Sequence, residues 1–320
     1  MGRYSEFRKF YEKELRADLE KIDLERKKIN RRVLIILAVA AAVVLLEIVL
    51  IPGSSDFPEP VPVFITVFAG LVLTGIFSKS FRKEYKSKII SRIAGFADES
   101  LVYSPEGYIP LHEFAGSKIF PLSCDRYAGE DHFRGTIGKT RIEFSEITAK
   151  HRNTSGSSSH QKDDYITIFK GLFIIADFNK NFRTHTIVLP DTAERLFGKF
   201  GQTLQSIAPS RGELIRLEDP RFEKEFCVYG DDQVESRYIL TPSLMERILK
   251  FRKKWKNRVW LSFINSKVYI AISMNKNLFE LRPFKPAADY DFLEENLRFL
   301  SLLTGVVDDL NLNTRIWSKE

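Results

Sequence analysis

Apolar residues recur at spacings of three and four from the start of the chain. Tyr4, Phe7, Tyr11, Leu15, Leu19 and Ile22 share one face, with charged residues between them. That period predicts an amphipathic helix over 1–32. Three destinations stay open for it: an anionic leaflet, the protein's own folded domain, or a partner helix in a short coiled coil. From Val33 to Ile51 the pattern becomes continuous, 19 residues with a single ionisable side chain, Glu47. At 1.5 Å per residue this is about 28 Å of helix, the thickness of a bilayer core. A second apolar run covers about 61–77. Between the two, PGSSDFPEP leaves room only for a tight turn, because Pro52 and Gly53 stop the first helix and Pro58, Pro60 and Pro62 are unsuited to a helix interior. The expected element over 33–92 is a transmembrane helical hairpin with basic flanks, since an open strand would leave backbone groups unpaired in lipid. Small residues, Ala38 and Ala40 to Ala42 on one helix and Thr66, Gly70 and Thr74 on the other, allow close approach. Glu47 lies about one turn from the outer end of its helix and can snorkel there.

After residue 92 the period shortens. RGTIGKTRIEF reads as two alternating runs about a Gly138-Lys139 turn, and YITIFKGLFIIADF and RVWLSFINSKVYIAIS are rich in the β-branched and aromatic residues of strands. RNTSGSSSHQKDD, 152–164, reads as a polar loop at a hairpin tip. Helical patterns cover about 191–206, 243–257 and 288–304. This mixture lacks a regular βαβ rhythm, so 93–320 is expected to be a mixed, mainly antiparallel α+β domain, divisible at most into halves 93–210 and 211–320. RTHTIVLPDTAERLF (183–197) and ESRYILTPSLMERIL (235–249) align without gaps. They suggest either a duplicated strand-turn-strand-helix unit, each helix opened by a capping box (Asp191 to Glu194, Ser243 to Glu246), or convergent strand-to-helix joints.

Charge settles orientation and removes one function class. Lys27, Lys28, Arg31 and Arg32 precede the first span; Lys79, Arg82, Lys83, Lys86 and Lys88 follow the second; the turn carries only Asp56 and Glu59. The positive-inside rule then places both termini in the cytoplasm. Residues 1–92 hold 17 basic and 11 acidic residues, leaving 32 and 31 of the chain's 49 and 42 for the rest. The domain is nearly neutral, so a nucleic-acid role loses its electrostatic support. No small-residue cleavage site ends the first apolar run, so no secretory signal is expected, and Glu6 breaks a myristoylation pattern. Two cysteines, Cys124 and Cys227, exclude a disulfide framework and fit a reducing compartment.

Candidate chemistry is sparse. GTIGKT lacks the earlier glycine of a phosphate loop, having Phe133 instead; His112-Glu113 lacks the second histidine of HExxH, having Gly116; and Ser158 is followed by His160 where a nucleophile elbow closes on glycine. CDRYAGEDHFRG gathers Asp125, Arg126, Glu130, Asp131 and His132, which read either as acid, base and nucleophile partners or as a polar turn before a strand. YGDDQVESR offers Asp231, Asp232 and Glu235 as cation ligands, or as the acids of a tight turn. KFRKKWKNRVW places Arg252, Lys253, Lys254, Trp255 and Lys256 where they would meet anionic headgroups or an acidic partner, or complement a helix dipole. No cofactor is implied.

DRYAGEDHFRGTIGKTRIEFSE, IFKGLFIIADFNKNF, VLPDTAERLFG, LEDPRFEKEFCVYGDDQVESRYILTPSLMERI, VYIAIS and LNLNTRIW, with the charged start and the two apolar runs, resemble a bacterial domain-of-unknown-function family, numbered 3137. The resemblance implies an inner-membrane protein with no family catalytic residues to carry over, and a membrane process shared with LemA-type proteins. The expectation is a cytoplasmic binding or scaffold module beside the bilayer, with a membrane-tethered, metal-using enzyme and an anionic-lipid sensor as alternatives.

Overall fold

Helix α1 (Gly2–Phe10) passes through a π-helical turn, Tyr11–Leu15, into α2 (Arg16–Leu50). The turn has a clear cause. Phe7, Tyr11, Leu15 and Leu19 are four apart, a spacing that drifts around a helix of 3.6 residues per turn, and one residue inserted by the π-turn returns the seam to one side. Phe7, Leu15, Leu19 and Ile22 are buried. In the computed structural model, which describes residues 2–50, 81–152, 165–191, 211–275, 277–281 and 285–313, they pack on their own chain. Tyr11 meets Tyr290 edge to face at 5.4 Å and donates its hydroxyl proton to the Ala288 carbonyl at 2.9 Å. The Ala287 N–H donates to Asp23 at 3.0 Å, and Arg92 donates to the Glu14 carbonyl and to Asp18. Of the three destinations open to this helix, the fold uses the chain itself. These segments, 1–93 with 279–297, form one compact unit.

The turn at 52–60, the second apolar run, the Glu47 side chain, the loop at 153–164 with Ser158 and His160, and most of the helical pattern at 191–206 lie outside the described residues. Among the described residues no helix is long and apolar enough to cross a membrane.

The second unit, 94–278 with the chain from 298 on, is built on a nine-stranded sheet. Its strands are β1 (Val102–Ser104), β2 (Arg126–Ile137), β3 (Thr140–Arg152), β4 (Tyr165–Asp177), β5 (Thr186–Pro190), β6 (Glu213–Ile215), β7 (Phe226–Gly230), β8 (Val259–Ile264) and β9 (Lys267–Ser273). They lie in the order β1-β2-β3-β4-β9-β8-β5-β7-β6, each pair antiparallel, so strands from 93–210 and 211–320 interleave in one sheet. A second π-helical turn, Lys86–Ile90, and helices α3 (Ser91–Ala97), α4 (Leu111–Gly116), α5 (Pro220–Glu225), α6 (Gln233–Ile239), α7 (Pro242–Trp255), α8 (Tyr290–Thr304) and α9 (Val306–Asp309) are the other elements among the described residues. The expected α+β class with a mainly antiparallel sheet is observed.

Register explains the long apolar runs. Phe144, Ile174, Ile270, Leu261, Val188, Val228 and Ile215 are consecutive cross-strand partners over seven strands, and all are buried. On the other face Ile147, Phe173, Ala271, Trp260 and Ile187 are buried with Ile109, Phe114 and Ile119 from the chain around α4. A sheet covered on both faces needs no polar alternation in its central strands, which is why GLFIIA, 171–176, is apolar throughout.

Two expectations are corrected. The first aligned segment does contain a strand, β5, but its counterpart 238–242 holds none, since α6 runs to Ile239 and α7 starts at Pro242, so no strand-turn-strand-helix unit is repeated. Asp232 is the reason: its carboxylate accepts from the Glu235 N–H at 2.7 Å, an N-cap that starts a helix there. The two segments instead bond each other. Glu235 accepts from the backbone N–H groups of Arg183 and Thr184 at 2.9 and 2.7 Å, and the Thr186 and Ser236 hydroxyls meet at 2.9 Å. The cap of α7 is Thr241 and not Ser243, because Pro242, with its fixed φ and no N–H, is suited to the first helical position.

Candidate functional site

The 124–135 constellation is not a turn before a strand; from Arg126 on it is the strand β2, with a bulge in the middle. Pairing runs Ile137↔Thr140 to Phe133↔Phe144 and resumes at Glu130↔Glu146, so Asp131 and His132 together oppose one residue of β3. Asp131 takes the left-handed conformation, φ 58°, that such bulges use. Its N–H donates to the Pro105 carbonyl at 3.0 Å, and its buried carboxylate accepts the Tyr103 hydroxyl, whose ring stacks on Phe133 at 4.4 Å.

The bulge brings three carboxylates together. Glu130, Asp131 and Glu146 each place one oxygen within 4.8 Å of the others. Glu130 and Glu146 also line a cavity of about 180 Å³ with Gly129, Lys170, Gly171 and Leu278. Like charges directly opposite on adjacent strands repel, so such a pair needs compensation. The Leu278 N–H donates to Glu146 at 2.5 Å, and Lys170 brings a cation to the cavity wall. Two glycines keep the walls thin: a Cβ at Gly129 would stand 2.6 Å from the Glu146 carbonyl oxygen, and one at Gly171 2.1 Å from that of Ile272. An all-oxygen set of this kind suits a hard cation such as Mg²⁺, Mn²⁺ or Ca²⁺.

The other candidates are dispersed. Asp125 accepts from the Arg152 N–H at 2.8 Å and pairs with His151 at 3.0 Å; the Arg126 guanidinium lies 3.7 Å over the Tyr165 ring; His132 faces Glu143 at 3.0 Å. Asp232 and Glu235 serve the backbone as described, and Asp231 pairs with the buried His185 at 2.5 Å, to which Lys118 also reaches at 3.3 Å. Burial works against the Glu235 carboxylate, yet the hydrogen bonds from Thr184 and Arg183 outweigh it and hold its pKa below the ordinary value. In the basic segment Arg252 pairs with Glu225 and Lys254 with Asp309, both at 2.5 Å. Trp255 packs on Phe251 and Phe299, Lys256 closes α7 in the left-handed conformation, and Lys253 is exposed. Cys124 and Cys227 are free thiols.

Glu146, Lys170 and Leu278 were not legible as site residues. Glu146 had one signal, since counting back from the Gly138-Lys139 turn brings it beside the 130–132 acids. Glu113, from the incomplete HExxH pattern, instead ties α4 to β9, accepting from Lys267 at 3.0 Å and from the Tyr269 hydroxyl at 2.9 Å.

Strands β5 to β9, β4 from residue 167 on and helices α5 to α9 fall within 167–312, the stretch that matches a family described as a protein of unknown function, DUF3137. This stretch belongs to that family. The DUF3137 match therefore begins within β4 and takes in Lys170 and Leu278, while Glu130 and Glu146 precede it. No curated protein matches the chain. Among solved structures the chain is similar to the mycobacterial trehalose monomycolate transport factor A, TtfA, at 10% identity and a TM-score of 0.32, covering 69% of this chain and 96% of that one.

Proposed function

We propose that the protein is a bacterial inner-membrane protein with two spans and cytoplasmic termini, whose α+β unit acts as a binding or scaffold module for a membrane-protein partner, LemA-type proteins being the class the family resemblance implies. One observation carries the membrane reading. In the apolar half of α2, Leu34, Ile35, Leu37, Val39, Leu45 and Leu46 are each at least 50% exposed, a sleeve of aliphatic surface that lipid, unlike water, would solvate. Exposed Lys27, Lys28, Arg31 and Arg32 stand below it. The test is extraction and labelling in cells. The full chain should resist alkaline carbonate, and Ser54→Cys should react with a membrane-impermeant maleimide in spheroplasts while Cys124 and Cys227 do not. Labelling of the native cysteines would sink the orientation. Crosslinking in cells, against a control bearing residues 1–92 alone, tests the module: a defined membrane protein captured only by the full chain supports it, and equal capture by the control removes it.

A second reading, a tethered metal-dependent enzyme, is favoured by the Glu130, Asp131 and Glu146 cluster. It requires that Mn²⁺, Mg²⁺ or Ca²⁺ raise the melting temperature of the full chain and that Glu146→Gln abolish the rise.

A further inference from the structure

Where α6 and α9 end and α7 begins, the second unit holds a cavity of about 220 Å³. Lys180, Ser243 and Arg247 line it, and among the described residues no acidic side chain does. We propose that this cavity binds a phosphate group, free or carried by a small molecule. It shares no residue with the Glu130, Asp131 and Glu146 cluster and does not depend on the membrane reading.

Charge is the first support. Both cations have partners, and those partners are dipoles. Lys180 Nζ donates to the Tyr238 carbonyl at 2.6 Å and reaches that of Ile239 at 3.5 Å, at the end of α6, and it lies 4.6 Å from the centre of the Tyr238 ring. Arg247 Nη1 donates to the Asp308 and Asp309 carbonyls, at the end of α9, at 3.2 and 3.4 Å. A helix C-terminus carries about half a negative elementary charge at most, and α6 and α9 are short. The N-terminus of the 14-residue α7 adds a positive one of similar size. Two full cations, two C-termini and one N-terminus leave about one and a half positive charges at the cavity. The acids beside Arg247 are engaged elsewhere: Glu246, its neighbour in sequence, pairs with Lys250 at 2.8 Å, and the Asp309 carboxylate pairs with Lys254 at 2.5 Å. Burial lowers the Lys180 pKa, with no carboxylate to offset it.

Donors are the second. Arg247 keeps Nε and Nη2 uncommitted, since Nη1 makes both of its bonds. Thr241 caps α7, which leaves the hydroxyl and the N–H of Ser243 without protein partners in the first turn of the helix. A guanidinium edge, an ammonium and a helix N-terminus are the groups from which phosphate sites are built. A phosphate, with up to about two charges and three terminal oxygens, matches that set better than a carboxylate does. Phe178, Leu244, Leu310 and Leu312, all buried, form much of the remaining wall and suit a short apolar body attached to the phosphate.

The experiment uses the full chain in a neutral detergent at constant ionic strength, titrated calorimetrically with inorganic phosphate, butyl phosphate and pentanoate. The wild type should bind both phosphates and bind pentanoate far more weakly. Butyl phosphate binding more tightly than inorganic phosphate points to a phosphate ester, and equal binding points to the free ion; either supports the site. Pentanoate binding as tightly as butyl phosphate overturns the proposal, and so does a chain that binds neither phosphate. Two variants separate charge from folding. Arg247→Gln keeps donors for the α9 carbonyls and removes the cation. Ser243→Glu sets a carboxylate at the cavity in the first turn of α7, where an acid favours the helix, so binding lost there is not fold lost. Each should weaken phosphate binding about tenfold or more, the loss of one charged hydrogen bond. Lys250→Gln removes an exposed cation outside the cavity and should leave binding unchanged. Binding that survives Ser243→Glu, or that Lys250→Gln weakens as much, removes the site.

Discussion

Single residues fix this fold where the backbone has no latitude, and two glycines rank the cost. Gly138 turns β2 into β3 at φ +62°, and a Cβ there would meet the Asn313 side chain at 2.7 Å, an end that can move. Gly138→Ala should therefore cost about 1–2 kcal/mol, the ordinary penalty of a left-handed alanine. Gly171 has no such relief, because a Cβ would stand 2.1 Å from a carbonyl oxygen of its sheet neighbour Ile272. Gly171→Ala should cost about 3 kcal/mol or more, or leave no folded protein; chemical denaturation of both variants checks the order, and Gly138→Ala proving the worse would contradict it. Glu235 is the polar counterpart, accepting from two backbone N–H groups and the Thr184 hydroxyl across a gap of some fifty residues in sequence. Its removal, Glu235→Ala, should cost about 1–3 kcal/mol by the same measurement.

Between elements, the tie from Glu113 in α4 to Lys267 and Tyr269 in β9 makes a pH-dependent contribution. Burial opposes the Glu113 charge, but the bonds from Lys267 and Tyr269 outweigh it and lower its pKa. A depressed carboxyl contributes stability above its unfolded pKa, about 4.3, and loses it as pH falls through the lower folded value. Glu113→Gln should thus melt below the wild type at pH 7, with the gap closing below about pH 4.3; a gap that widened on acidification would reverse the sign. The same scale shows what sequence discloses. α7 and α8 were legible from their period and β2–β3 from its Gly-Lys turn, since those signals are local. The acid site was half legible. Unbroken pairing from the turn would set Asp131 opposite Glu146, and the bulge, a choice made by Tyr103 and Pro105 from a separate strand and turn, sets Glu130 there instead. ESRYILT misled because its alternation suits a strand, while one cap from Asp232 made it a helix.

Across the whole chain, the α+β class followed from composition and period, but strand order did not, because β4 pairs with β9 and β5 sits between β8 and β7 through contacts that no local pattern records. That order has a consequence during synthesis. β4 is complete at Asp177, yet its partner β9 begins at Lys267, about 90 residues later, and at 5–20 residues per second the ribosome needs roughly 5–20 s to supply it. Throughout that interval a long and largely apolar strand presents an open edge to the cell, a template for joining other nascent chains. Messages truncated after codon 258 should yield aggregates instead of soluble fragments, and pulse-labelled nascent chains of 180–260 residues should crosslink to ribosome-associated chaperones until β8 and β9 emerge.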